Sequence, residues 1–485
     1  MNLTASQRET LQRFSRATFA NPFGAERWQL DAEIAGKAPN TPNIVEHVVA
    51  ELDTTLASLK SRHLDDYEGA DVELMEHALL FDAFHRFAPP FDAFIRKQAQ
   101  SDEPLAFPLA KEISGFLGEH GLAEPRVPRA LELFYQLRRA YHFIASGLVG
   151  RSPCMRALRE ALWNQVFTRD VRRYERHLWN RMEDFSTLLL GATGTGKGAA
   201  AAAIGRSGFI AFSKDRFEAS FTQTFLPVNL SELPGTLLES ALFGHEKGAF
   251  TGAIAKHEGM FARSLPHGSI FLDEIGEVSV PAQIKLLRVL QERTFTPVGS
   301  DTSQRFDGRV IAATHRSLDA LRAEGRFRSD FYYRLCSDVV QVPTLRQRID
   351  EDPAELDDLL QVVVRRIAGS SDDVLLALTQ ESIARDMPKD YAWPGNVREL
   401  EQCVRRVLLT GACAPDTTAP TKTLTADPFW LKADEGDLDA KQLLAGYCAL
   451  LHQRHGTYEK VAQITGLDRR TVRKHVLTGT PLIGK

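Results

Sequence analysis

Gly191-Ala192-Thr193-Gly194-Thr195-Gly196-Lys197-Gly198 stands between the apolar run Leu188-Leu189-Leu190 and the alanine-rich stretch 199–204. Strand, glycine loop, helix is the order a phosphate cradle needs. Glycines let the loop curl so that its N–H groups face phosphate oxygens, and the helix N-terminus adds partial positive charge. Lys197 can then reach the outer phosphates. A second element follows where Ser269-Ile270-Phe271-Leu272 runs into Asp273-Glu274, with Asp273 standing 76 residues after Lys197. An apolar strand ending in two acids suits phosphoryl transfer. Asp273 would hold Mg²⁺, mostly through water, and Glu274 would orient and polarise an attacking water.

Elements of the right kind surround these residues. Between 148 and 343, strand-like runs at 186–190, 269–272 and 309–313 alternate with helical stretches, which predicts an α/β subdomain with a mainly parallel sheet. From 344 to 410 the pattern turns helical. Residues 1–147 read as a helical region: Leu79, Leu80, Phe84 and Phe87, and later Leu131, Leu133, Phe134 and Leu137, recur at helical spacing. That region shows no phosphoacceptor strand with paired aspartates, no glycine cradle and no metal cluster; His63, His77 and His85 read as scattered surface or core residues. A Pro-, Thr- and Ala-rich stretch, 411–427, reads as a linker to a small all-helical unit at 428–485.

Between the cradle and the acids lies Glu239-Ser240-Ala241-Leu242-Phe243-Gly244-His245-Glu246-Lys247-Gly248-Ala249-Phe250-Thr251-Gly252-Ala253. Its last six residues form a small-residue loop carrying one large aromatic. This stretch resembles the GAFTGA loop of the bacterial enhancer-binding proteins, AAA+ ATPases that activate RNA polymerase carrying sigma-54. The resemblance spans roughly residues 148–410.

The resemblance implies a role for each matching position. ATP would be held by Gly191, Gly194, Thr195, Gly196, Lys197 and Gly198, with Arg398 as sensor II in a helical lid. Asp273 would support Mg²⁺ and Glu274 would activate water, restrained by Asn229 until the target is touched. Thr314 matches sensor I. Arg328 and Arg334 match arginine fingers given to a neighbouring subunit, so the implied assembly is a homo-oligomeric ring, typically a hexamer. Gly248, Ala249, Phe250, Thr251, Gly252 and Ala253 would contact sigma-54. Three features depart from the family pattern. Gly198 replaces the usual glutamate after the lysine and leaves no hydroxyl for Mg²⁺. His315 replaces the usual asparagine after sensor I. The chain also carries extra residues near 208–224.

The tail points to nucleic acid. Residues 451–485 hold seven Lys or Arg against two Asp or Glu, whereas the whole chain has a net charge of −4. Two short helices fit, with Gly466 in the turn and Asp468 as the second N-cap. Val461, Ala462, Ile464, Leu467, Val472 and Val476 would share a core. Arg469, Arg470, Thr471, Arg473 and Lys474 would face double-stranded DNA from the second helix. The pattern resembles the Fis-type helix-turn-helix, preceded by a helix near 439–455.

Composition sets the outer bounds. At roughly 150 residues per domain the 485-residue chain has room for about three. With 43% hydrophobic and 25% charged residues it is neither disordered nor fibrous. The polar N-terminus lacks the apolar core of a signal peptide, so the expectation is a soluble, cytoplasmic protein. Cysteines at 154, 336, 403, 413 and 448 lack close CxxC spacing and read as free thiols. The expected function is a sigma-54-dependent activator that binds upstream DNA and remodels the closed polymerase complex with ATP. Two other readings stay open: a DNA-binding regulator with a degraded ATPase, favoured by Gly198 and His315, and an AAA+ remodeller of another target.

Overall fold

The computed structural model describes residues 2–39, 41–232, 235–369, 372–415 and 438–478. The chain divides into two units, Met1–Ala414 and Pro415–Lys485. Most of the expected linker (416–427), together with 428–437 and 479–485 of the expected C-terminal domain, lies outside the described residues. Among those described, no helix is long and apolar enough to cross a membrane.

The N-terminal region contains the helices α1 (Ala5–Phe19), α2 (Ala25–Ala35), α3 (Ile44–Ala57), α4 (Ala70–Arg86), α5 (Ala88–Gln98), α6 (Ala110–Glu119) and α7 (Val127–Tyr141). Local chemistry sets several of their ends. Thr4 and Gln7 form a reciprocal capping box at the start of α1. Pro89 and Pro90 open α5, where a missing N–H costs nothing. Their inner faces supply one core that includes Leu11, Phe14, Leu52, Phe81, Phe91 and Tyr135. Helix α8 (Pro153–Phe167) then leads into the sheet.

Five strands build that sheet: β1 (Thr187–Leu190), β2 (Phe225–Asn229), β3 (Ser269–Asp273), β4 (Arg309–Thr314) and β5 (Asp338–Gln341). Their spatial order is β2-β3-β4-β1-β5, and every neighbouring pair is parallel. All carboxyl ends therefore point the same way. Helices cover both faces, which is why β4 is buried along its whole length and reads as a continuous apolar run after Arg309. Because β4 separates β1 from β3, the phosphate loop and the acidic pair face each other across the end of one intervening strand.

The extra residues near 208–224 have a structural job. They form a hairpin, Phe212–Ser213 with Arg216–Phe217, whose side chains join the N-terminal core. Phe217 stacks on Tyr135 at 3.8 Å between centroids, and the Phe107 N–H donates to the Asp215 carbonyl at 2.8 Å. From the other side, the buried Arg139 of α7 donates to the carbonyls of Arg206 (2.8 Å) and Gly208 (2.6 Å), just past the helix Lys197–Gly205. Residues 1–147 are thus packed into the same compact unit as the sheet.

Among the described residues of the first unit, four helices follow the sheet: Leu345–Glu351, Glu355–Ala368, Asp373–Asp386 and Asn396–Thr410. They share a core of Leu360, Val363, Trp393, Leu400 and Val404. The expectation of free thiols fails here: Cys403 and Cys413 are disulfide-bonded. Gly411, at φ 74°, ends the last helix in the left-handed conformation and turns the chain back toward Cys403. A ten-residue spacing carries no such signal by itself.

Among its described residues, the second unit contains the helices Ala440–His455, Tyr458–Thr465 and Arg469–Thr478. Asp439 caps the first, and Gly466 (φ 73°) closes the second. Val461, Val472, Cys448 and Ala445 are the buried apolar residues among those described there. Ile464 was expected in this core, but it is 43% exposed.

Candidate functional site

The phosphate loop leaves the carboxyl end of β1 and enters the helix Lys197–Gly205. Lys197 curls back over it: Nζ donates to the carbonyls of Gly191 (2.9 Å) and Ala192 (3.1 Å). Burial holds the ammonium below its usual range, opposed by the nearby charges of Glu274 and Asp273. Thr195 closes the loop with a bond to the Ala192 carbonyl at 2.9 Å. Gly194 has φ 78°, and a side chain there would run into the Gly395 carbonyl oxygen. That closeness comes from the lid. The Val397 N–H donates to the Gly194 carbonyl (3.1 Å), and Asn396 Nδ2 donates to that of Thr193 (3.0 Å). Gly198 lies in the first helical turn with open space where a Cβ would be.

Asp273 ends β3, and its Oδ1 accepts the Glu274 N–H at 3.0 Å. Burial, reinforced by the Glu274 charge, raises the Asp273 carboxyl above its ordinary value. Glu274 itself has φ 57°, a left-handed conformation that costs a non-glycine residue about 1–3 kcal/mol and is found where surrounding structure over-determines it. Its Oε2 lies 2.8 Å from His315 Nδ1. Asn229 ends β2 in register with Asp273. Its side chain donates to Glu232 (2.8 Å) and accepts from Ser231, so its partners are on its own turn and not Glu274. Thr314 is fully buried at the end of β4, where its hydroxyl accepts the Arg316 N–H at 3.1 Å.

A cleft of about 610 Å³ brings much of this set together. Residues 193–198, Asn229, Glu274 and Arg398 line it, with Arg366 and Glu401 paired on the lid side. Asp273 and Thr314 do not line it. Arg328 and Arg334 do not line it either. Arg328 makes a two-pronged pair with Asp330 (3.0 and 2.7 Å), which raises its pKa, and Arg334 donates to the Leu290 carbonyl at 3.0 Å.

The loop 248–253 stands on a pinched base. His245 and His257 exchange backbone bonds at 3.0 and 2.9 Å, and Val298 bonds to the backbone of Gly244 (2.9 Å) and Glu246 (3.0 Å) on the other side. The turn closes with the Gly248 N–H on the Ala253 carbonyl at 2.8 Å, and both Gly248 (φ 84°) and Gly252 (φ 102°) need the left-handed region. Ala253 points inward, while Phe250 is 37% exposed and Ile254 84%. Phe250 rests edge-on against His245, 4.9 Å between centroids. Sequence reading missed Ile254 as part of this apolar tip.

In the second unit, Asp468 Oδ1 accepts the N–H groups of Arg470 (2.9 Å) and Thr471 (3.0 Å), fixing the start of the helix Arg469–Thr478. Arg469, Arg470, Arg473 and Lys474 are exposed along it, and Arg469 pairs with Glu459 at 2.8 Å. Thr471 is half-buried, its hydroxyl turned to Asp468.

The residues present fit a nucleoside triphosphate. Lys197 spends its donors on loop carbonyls and can transfer them to phosphate oxygens; the cleft admits a nucleotide beside it. For Mg²⁺ the fit is a carboxylate whose charge is unfavourable until a cation arrives, with no hydroxyl from Gly198. Such a site leaves most coordination to water and phosphate.

The sigma-54 interaction domain family matches residues 167–341. Transcriptional regulatory protein ZraR of Klebsiella oxytoca is 37% identical over 332 residues, 67% of this chain and 67% of that protein. The Nif-specific regulatory protein of Azotobacter vinelandii is 36% identical, covering 72% of this chain and 61% of its own. DNA-binding transcriptional regulator NtrC of Azospirillum brasilense is 33% identical, covering 68% of each. The chain belongs to the bacterial enhancer-binding proteins, the sigma-54-dependent transcriptional activators built on an AAA+ ATPase fold.

Proposed function

We propose that the chain hydrolyses ATP in a homo-oligomeric ring, typically a hexamer, and uses each cycle to remodel the sigma-54 polymerase closed complex while its second unit binds upstream DNA. The observation that carries this reading is the division of the catalytic set. The cleft holds the phosphate loop, Glu274 and Arg398, while Arg328 and Arg334 lie outside it in the same chain.

Hydrolysis needs negative charge neutralised around the γ-phosphate more than it needs covalent help. Lys197 and Arg398 supply two cations from within the chain. Glu274 orients water toward the γ-phosphorus, and Thr314, at the end of the strand beside β3, positions the end of β4. Asp273 would hold Mg²⁺, mostly through water, and the ion would supply further neutralisation of phosphate charge. The remaining positive charge comes from Arg328 and Arg334 of a neighbouring copy, so turnover depends on assembly. The loop 248–253, with Phe250 at its tip, is the surface offered to sigma-54, and Arg469, Arg470, Thr471, Arg473 and Lys474 face DNA.

The test is complementation. Lys197→Ala and Arg328→Ala chains should each be inactive alone. Mixed, a Lys197→Ala chain can still lend Arg328 to an intact cleft on the other variant, and hydrolysis should return to a fraction of wild type. A mixture as dead as its parts sinks the shared site. Phe250→Ala should abolish binding to sigma-54; retained binding removes the loop from the contact. Two observations favour a second reading, a regulator that binds nucleotide with little turnover. Gly198 gives Mg²⁺ no hydroxyl, and His315 already occupies one oxygen of Glu274. Tight ATP binding without turnover at any protein concentration would select it.

A further inference from the structure

A second cavity, of about 370 Å³, shares no lining residue with the cleft at the phosphate loop. Its walls come from the end of α1, from α2, α4 and α7, and from Trp163 of α8. Close-packed interiors leave few voids larger than a water molecule, and this one is within the range of small-molecule sites.

Its lining selects among ligands. Phe19, Phe81, Phe84, Phe134, Tyr141 and Trp163 present aromatic surfaces. Two guanidiniums border it, but each is already neutralised. Arg27 bonds to Asp31 (2.7 Å) and to the Ala17 carbonyl (3.1 Å), and Arg138 bonds to Asp92 (3.0 Å). No uncompensated charge is left for an acid or a base. His85 differs from the other polar groups. Its ring packs on Phe81 (4.3 Å) and Phe84 (5.3 Å), yet it makes no hydrogen bond to any of the described residues. Burial, helped by the two arginines, pushes it down to about 3, so it is neutral and offers one donor and one acceptor. A polar side chain facing a cavity without a partner is costly unless a ligand or water completes it.

We propose that this cavity is a binding site for a small, flat, uncharged aromatic molecule carrying one hydrogen-bonding substituent, which His85 receives. The aromatic walls accept its faces and edges. Its position suits a sensor. Helix α7, which lines the cavity through Phe134 and Tyr141, also carries Arg139, the clamp on the end of the phosphate-loop helix.

The experiment uses the full chain and two probes of nearly equal size, 2-naphthol and naphthalene, followed by calorimetry and by Trp163 fluorescence. The expected result is saturable binding of one 2-naphthol per chain, roughly tenfold tighter than naphthalene, the difference one hydrogen bond provides. His85→Leu should erase the difference while keeping naphthalene binding. Ala20→Phe, at a residue with extended backbone on the cavity wall, should block both probes with an unchanged melting curve. Absence of saturable binding overturns the proposal, as does binding that survives Ala20→Phe. Tighter binding of decanoate, a flexible acid, overturns the assigned class.

Discussion

His315 Nδ1 lies 2.8 Å from Glu274 Oε2, so the acid assigned to orient water is held by the residue that follows Thr314. The two are brought together because β3 and β4 are neighbours and end at the same level. Asn229, to which the family resemblance gives the restraining role, is engaged instead with Ser231 and Glu232. A hydrogen bond to a carboxylate occupies one of its oxygens and fixes the direction in which that oxygen points, away from an incoming water. His315→Ala should therefore raise basal hydrolysis, by roughly three- to tenfold for one bond of about 1 kcal/mol. His315→Asn should fall between. Steady-state turnover of the three proteins checks this; a rate unchanged or lowered in His315→Ala means that the imidazole does not restrain Glu274.

Gly198 and Gly194 should respond oppositely to a side chain. A Cβ at Gly198 meets nothing within 4 Å. Gly198→Thr should fold normally and lower the Mg²⁺ concentration for half-maximal hydrolysis severalfold, because a hydroxyl can join the ion's shell. At Gly194, φ is 78° and the lid backbone occupies the space. Gly194→Ala should weaken nucleotide binding and loosen the lid. Mg²⁺ titrations and nucleotide affinities measure both, and equal behaviour of the two variants contradicts the packing described.

Arg470→Ala with Arg473→Ala should weaken DNA binding and flatten its salt dependence. Each phosphate contact contributes about one unit to the slope of log K against log salt, so removal of two should lower the slope by about two. Affinity measured from 50 to 200 mM salt reports this. An unaltered slope takes the helix Arg469–Thr478 off the phosphates.

Acid should destabilise the N-terminal helices through two histidines. Burial lowers His77 to about 4 and His85 to about 3, from an ordinary 6.5. Both folded values lie below the unfolded one. Their contribution is complete above pH 6.5 and is lost as pH falls toward 4 and then 3, by about 1.4 kcal/mol per pH unit for each histidine. Denaturant unfolding between pH 7.5 and 4.5 should show that slope, and His85→Leu should remove about half of it. An identical slope in the variant rules His85 out as its source.

What sequence by itself determined is what neighbouring residues dictate. Glycine positions and the strand–loop–helix order exposed the phosphate cradle, and the small-residue loop with Phe250 exposed the candidate contact for sigma-54. The turn at Gly466 and the cap at Asp468 exposed the tail helices. Each depends on backbone preferences or hydrogen bonds spanning only a few residues. Tertiary structure decided what joins distant segments. His315 meets Glu274 through strand order, and the hairpin near 212–217 meets Tyr135 by completing an apolar core. Cys413 reaches Cys403 because the chain reverses at Gly411, and His85 faces a cavity because α1, α2, α4, α7 and α8 enclose it. The physical reason is common to all four: residue types state what a side chain can bond to, but packing in three dimensions decides which partner comes within reach.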